Sequence, residues 1–204
     1  MLMRKIIIFI NVVLIFAFLI STTSKPKENE ITPTPIVEEK MSVNINILVP
    51  EDFEDIAYYQ DCLSSLPGSL LKEFNAKGWV LCILYSLEDG VSGYTDYENK
   101  KIVISDEFRS QAKACIIHEF GHFLDYSKDY VSYSEEFTNL YNSNLDYIEC
   151  EYYDSIIDIP EAELKYATSN ARELFATIFK EYILNRSYLR KNYPELFEYI
   201  KKTI

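Results

Sequence analysis

The chain contains only two histidines, His118 and His122, four positions apart in His118-Glu119-Phe120-Gly121-His122. They lie in an apolar stretch from Ala114 to Leu124, and no other feature restricts the fold as much. On an α-helix, positions i and i+4 stack on one face about 5–6 Å apart. Both imidazoles can therefore meet one cation at the roughly 2.1 Å of a zinc–nitrogen bond. Glu119 projects toward the same side, where it can accept a proton from water without being a ligand. The helix must run unbroken for this to hold, and no proline interrupts Ser105 to Leu124. Ser105 or Asp106 is the expected N-cap, with Asp106 and Glu107 loading the first turn with negative charge. Ile116, Ile117, Phe120, Phe123 and Leu124 spread apolar surface around most of the circumference, which predicts a buried element. Gly121 costs about 1 kcal/mol relative to alanine inside a helix, so its presence points either to close packing beside the histidines or to a glycine that is merely tolerated.

The N-terminus has the three-part plan of a secretory signal: Arg4 and Lys5, an apolar run from Ile6 to Ile20, then Ser-Thr-Thr-Ser. At 1.5 Å per residue that run reaches about 22 Å, short of the roughly 30 Å hydrocarbon core, which favours cleavage over a permanent span. Residues 1–24 are read as a signal peptide, with an uncleaved anchor as the alternative. In either case the remainder is exported, secreted or held on the outer face, and membrane contact is expected only if the segment stays attached. Residues 25–42, with Pro26, Pro33 and Pro35 and no sustained apolar period, read as a flexible linker. Residues 43–204 suit one domain able to bury a core.

A formal net charge of −12 argues against nucleic acid as a partner and favours neutral or basic substrates and cations near a cleft. Cys62, Cys82, Cys115 and Cys150 are an even set in an exported chain, compatible with disulfides or with buried thiols, and four cysteines allow three pairings. Cys115 shares a helical face with His118, which leaves a sulfur ligand open.

Val43, Ile45, Ile47 and Val49 alternate with mostly polar residues and predict a half-buried strand ending at Pro50. Asp52–Leu63 and Ser69–Ala76 read as helices separated by Pro67-Gly68. Trp79–Tyr85 is continuous enough for a buried strand, and Val91–Tyr97 with Lys101–Ser105 form a hairpin leading into the histidine helix. Helices are expected at Ser134–Tyr141, Asn170–Leu184 and Pro194–Lys202. Strands first and helices later indicate an α+β domain: a small twisted sheet packed beside a central metal-binding helix, with a helical C-terminal half, a zincin-like arrangement.

Two histidines and a water leave one position for the protein, and without a further histidine the third ligand should be a carboxylate. Glu135, Glu136, Glu149, Glu151, Glu161, Glu163 and Glu173 all follow His122, and spacing alone does not choose among them. Glu173 opens an amphipathic segment anchored by Leu174, Phe175, Ile178, Phe179 and Tyr182, which would hold a first-turn carboxylate rigidly. A capping box, with Asn170 as N-cap and Glu173 at N3, accounts for the same residues without a metal. Asp125 is a candidate hydrogen-bond partner for a ligand histidine, or an exposed helix carboxylate.

From about Val91 onward the chain resembles the catalytic domain of anthrax lethal factor and the related secreted Pro-Pro endopeptidases, within the glutamate-zincins. The resemblance is carried by His-Glu-Phe-Gly-His followed by Phe123-Leu124-Asp125, by Glu-x-Phe-Ala-x-x-Phe at Glu173–Phe179, and by Tyr166 seven residues before Glu173. It implies that Glu173 is the third zinc ligand and that Tyr166 stabilises the transition state. Between Ser86 and Asp106 the sequence departs from the proline-specific enzymes, having no long loop with tryptophan, so cleavage between prolines is not implied. Nor does the chain contain the delivery domains that accompany lethal factor.

The expected activity is peptide-bond hydrolysis by a monomer carrying one Zn2+, held by His118, His122 and Glu173, with Glu119 as general base and a peptide or protein as substrate. An exported zinc-containing binding or antagonist protein without turnover is the alternative, and an anchored surface protein with a vestigial motif is a third possibility. Glu119 beside the ligands speaks for catalysis, because closed structural sites have four protein ligands and no use for a base.

Overall fold

The second and fourth strands of the sheet are apolar on both faces, and that fixes how the sheet is built. Val80–Leu84 (β2) and Lys101–Ser105 (β4) run parallel, Val80 opposite Lys101 and Leu84 opposite Ser105. Leu81, Ile83, Ile102 and Ile104 are fully buried, and Cys82 and Val103 between them nearly so. Continuous apolar runs of this kind belong to parallel strands covered on both sides. A short strand, Ile47–Leu48 (β1), adds in parallel to β2, and Gly93–Asp96 (β3) adds antiparallel to β4. The order is therefore β1-β2-β4-β3, with β3 at one edge. The computed structural model describes residues 45–144 and 169–204; the proposed signal and linker, together with Cys150 and Tyr166, lie outside them.

The parallel step from β1 to β2 is made through two helices, Ile56–Leu63 (α1) and Gly68–Ala76 (α2). Asp55 caps α1 by accepting from the Tyr58 N–H. The turn between β3 and β4 passes through Lys100 in the left-handed region, held by Asp96, which accepts from the backbone and side-chain amides of Asn99.

The histidine helix, Ala112–Ser127 (α3), starts later than expected. Asp106–Gln111 forms a tight helical turn with a kink at Phe108 (φ −102°, ψ 39°), and neither Ser105 nor Asp106 caps α3. The polar groups of this turn are tied to α1 instead: Tyr59 Oη donates to Asp106, Arg109 pairs with Asp55, and Tyr58 Oη donates to the Arg109 carbonyl at 2.7 Å. As the apolar pattern predicts, α3 is largely buried, with Ile116, Ile117, Phe120, Phe123 and Leu124 all at 1 % exposure or less. Phe74 of α2 packs on Phe120 and Phe123 with ring centroids 4.7 and 5.0 Å apart, and Trp79 on Phe123 at 5.1 Å.

The described chain after α3 is helical: 135–144 (α4), Ala171–Leu184 (α5), Arg186–Asn192 (α6) and Pro194–Thr203 (α7). The sequence pattern gave no separate expectation for α6, a short segment with one buried residue, Leu189. The α+β class, with a four-stranded sheet beside the histidine helix, is as the sequence predicts. The predicted edges of β1 and β3 are longer than the strands formed.

Candidate metal centre

His118 and His122 project from one face of α3 with ring centroids 4.9 Å apart and ring planes nearly perpendicular. Opposite them stands the first turn of α5. Asn170 caps that helix, its Oδ1 accepting from the Arg172 N–H at 3.0 Å and the Glu173 N–H at 3.1 Å. Asn170 thus behaves as the capping reading expected. The Glu173 side chain, however, reaches across to α3, its Oε2 lying 3.2 Å from Nε2 of His118 and 3.2 Å from Nε2 of His122.

Two helices must come unusually close for a glutamate to make that reach, and Gly121 allows it. A Cβ on Gly121 would lie 2.7 Å from Ala176 Cα and 3.1 Å from its carbonyl oxygen. Ala176 is three residues beyond Glu173, so the tight contact sits about one turn from the carboxylate. The glycine's cost in helix propensity is offset by this approach.

The three ligand atoms lie within 4.8 Å of one another. Two imidazole nitrogens and one carboxylate oxygen, borne on two packed helices, form a donor set that fits a zinc-sized divalent cation. Burial raises the pKa of Glu173, but hydrogen bonds and charge attraction from His118 and His122 outweigh it and hold the carboxyl at about 2. It therefore stays an anion, as a ligand must.

Glu119 is on the same helix, 6 % exposed. The Thr95 hydroxyl, from β3, donates to its Oε2 at 2.6 Å. Cys115 is not part of the cluster; its Sγ lies against Gly93 and 3.7 Å from Ser92 Oγ. Glu135 and Glu136 are exposed, Glu136 pairing with Lys202. Glu149, Glu151, Glu161, Glu163 and Tyr166 fall outside the described residues.

Asp125 is not an exposed carboxylate, and it makes no hydrogen bond to His122 among the described residues. It is fully buried, and its two oxygens accept from the Ser132 N–H at 2.7 Å and the Ser132 hydroxyl at 2.8 Å. Nδ1 of His122 has no hydrogen-bond partner among the described residues. Burial raises the Asp125 carboxyl, against the pull of Ser132, Arg172 and His122. Arg172, next to Glu173, brings its Nε to 3.8 Å from Asp125 and lays its guanidinium 4.7 Å from the Tyr97 ring centre and 5.2 Å from that of Tyr130. Burial opposes the Arg172 charge, while Tyr97, Tyr133 and Asp125 reinforce it, and its pKa is raised. Sequence reasoning missed Thr95, Arg172, Tyr97 and Tyr130. Only the alternation of β3, which turns Gly93 and Thr95 to one face, could have indicated Thr95.

A histidine pair on one helix, a glutamate opposite it on a second, and a sheet edge running along the first define a zincin-type α+β fold. Among solved structures the chain is similar to the Pro-Pro endopeptidase PPEP-2 from Paenibacillus alvei, with a TM-score of 0.58 and 16% sequence identity over 78% of this chain and 97% of that one. No sequence profile of a protein family matches the chain, and no curated protein matches it.

Proposed function

We propose that the protein is an exported zinc-dependent endopeptidase. The observation that carries this reading is the single Glu173 oxygen placed equally far from the two Nε2 atoms, with a buried carboxylate, Glu119, on the next residue of the helix. The similarity in fold to an enzyme described as a Pro-Pro endopeptidase points to a peptide substrate.

His118, His122 and Glu173 would hold the ion, which when bound supplies Lewis-acid chemistry, polarising a carbonyl and lowering the pKa of water toward about 7. Glu119 takes the proton from the attacking water and returns it to the leaving amine. The resemblance assigns Tyr166 to the developing oxyanion, where a hydroxyl donor acts as in other preorganised holes. An extended peptide would add to the free edge of β3, with side chains pointing alternately to pockets and to solvent. Specificity for proline does not follow, since Ser86–Asp106 holds only a short turn and the hairpin. The protein acts as a monomer outside the cell, on a membrane only if residues 1–24 remain attached.

The test combines elemental analysis with peptide-library cleavage, with and without chelator. One zinc per chain and turnover lost in Glu119→Ala, with zinc retained, are expected. Zinc without cleavage of any peptide would favour a non-catalytic binding protein, and activity surviving in Glu119→Ala would refute the assignment of the base.

A further inference from the structure

We infer that Thr95 is a positioning residue that couples the peptide-docking edge to the catalytic base, an inference that rests on the endopeptidase reading above. β3 runs along α3 in register. Gly93 lies over Cys115, where a Cβ would be 2.7 Å from the sulfur, and two residues on, Thr95 meets Glu119, four residues beyond Cys115. Two strand residues advance about 6.6 Å and four helix residues about 6 Å, so the two spacings match. The missing side chain of Gly93 lets the strand lie against the helix, and the Thr95 hydroxyl uses that closeness to donate to Oε2 at 2.6 Å.

The backbone of the same residue faces the other way. The Ser105 N–H donates to the Ser92 carbonyl at 2.9 Å, which makes Ser92 and Ser105 a hydrogen-bonded pair of the antiparallel ladder. Such pairs alternate with pairs that exchange no bonds. Gly93 opposite Ile104 and Thr95 opposite Ile102 are therefore the pairs whose N–H and C=O groups point to the open edge, where no strand pairs with β3 among the described residues. One residue thus offers main-chain groups to an incoming extended peptide and a hydroxyl to the base. A carboxylate with one oxygen occupied by Thr95 has its other oxygen left for proton transfer and its rotamer fixed while the substrate strand is aligned by the same residue.

Thr95→Val keeps the shape and the strand preference and removes the donor, while Thr95→Ser keeps the donor. For Thr95→Val, kcat should fall about 10- to 100-fold with KM changed less than about threefold. Thr95→Ser should stay within about threefold of the original in both constants. A second readout needs neither metal nor turnover: in the metal-free protein Thr95→Val should lower the unfolding midpoint by about 3 °C or more, and by less than half as much in a Glu119→Ala background. An unchanged kcat in Thr95→Val, equal losses in the valine and serine variants, or additive thermal shifts would overturn the inference. If the unmodified protein cleaves no peptide, the endopeptidase reading fails, and the thermal cycle still decides whether Thr95 holds Glu119.

Discussion

Gly121 and Ala176 are in direct contact across α3 and α5, so close that a single methyl group on Gly121 would fall 2.7 Å from the Ala176 α-carbon. Helix propensity alone says that Gly121→Ala should stabilise the protein by about 1 kcal/mol. The contact reverses the sign, because the obstructing atoms are backbone and shift only if the helices separate, at about 1–3 kcal/mol. The expected outcome is a net loss of stability of about 1 kcal/mol and a zinc affinity weakened about tenfold or more. Chemical denaturation and competition with a zinc-binding dye measure the two. A stabilised variant with unchanged affinity would show that the helices do not need this approach.

Asp125 ties the residues after α3 to the helix that carries Glu173. It accepts twice from Ser132, sits 3.8 Å from Arg172, and its own carbonyl accepts from the Tyr130 N–H at 2.8 Å. That last bond closes a turn in which Asp129 and Tyr130 both adopt positive φ, strain that the surroundings must offset. Asp125→Ala leaves two buried donors of Ser132 unpaired and removes the anion beside Arg172, so a loss of about 2–4 kcal/mol is expected. Asp125→Asn, which can still accept from Ser132, should cost less. Urea unfolding of both variants checks the order, and equal costs would locate the effect in the charge rather than in the hydrogen bonds.

Much of this site was legible in the sequence because its chemistry rests on rare residues at fixed helical spacing. His118, Glu119 and His122 needed only the periodicity of one helix, and the cost of Gly121 left a close contact as one of two readings. The choice of Glu173 came from resemblance, since no spacing rule separates one acidic residue from another across a chain turn; what the structure adds is the reach of its Oε2 to both rings. The residues that escaped are those whose partners are distant in sequence and common in type. Thr95 is one threonine in a short strand, and its meeting with Glu119 depends on β3 and α3 lying in register. Asp125 was visible as a polar residue on a buried helix, but its partner, Ser132, is set by a strained turn that no local pattern announces. The start of α3 moved because Asp106 and Arg109 found partners on α1, a tertiary preference that outweighs capping propensity.

The guanidinium of Arg172 stacks on Tyr97 and Tyr130 and lies one residue from Glu173, so it fixes the first turn of α5 from outside. Arg172→Lys retains the charge and loses the planar stack. We expect this variant to lose about 0.5–2 kcal/mol of stability and to bind zinc less tightly, with the Asn170 cap intact. Thermal unfolding with and without zinc measures both effects. A variant with the original zinc-induced rise in midpoint would show that Glu173 is held by its own helix alone.

Glu173 also sets how the metal-free protein responds to acid. Its carboxyl titrates at about 2 in the folded chain against an ordinary value of 4.5, so the folded state binds this proton less readily than the unfolded one. A depressed carboxyl contributes stability that is fully present above about pH 4.5 and is lost as pH falls toward about 2. The difference in unfolding free energy between the original protein and Glu173→Gln should therefore shrink steadily as pH falls below about 4.5. With zinc bound the pattern changes, because protons and metal compete for the same three side chains and affinity must fall as pH drops. Unfolding measured across pH in chelator, and again in saturating zinc, separates the two effects. A gap between the two proteins that stays constant down to about pH 2 would mean that Glu173 has no charge partner in the folded chain, and that the pairing of its carboxylate with His118 and His122 does not persist in solution.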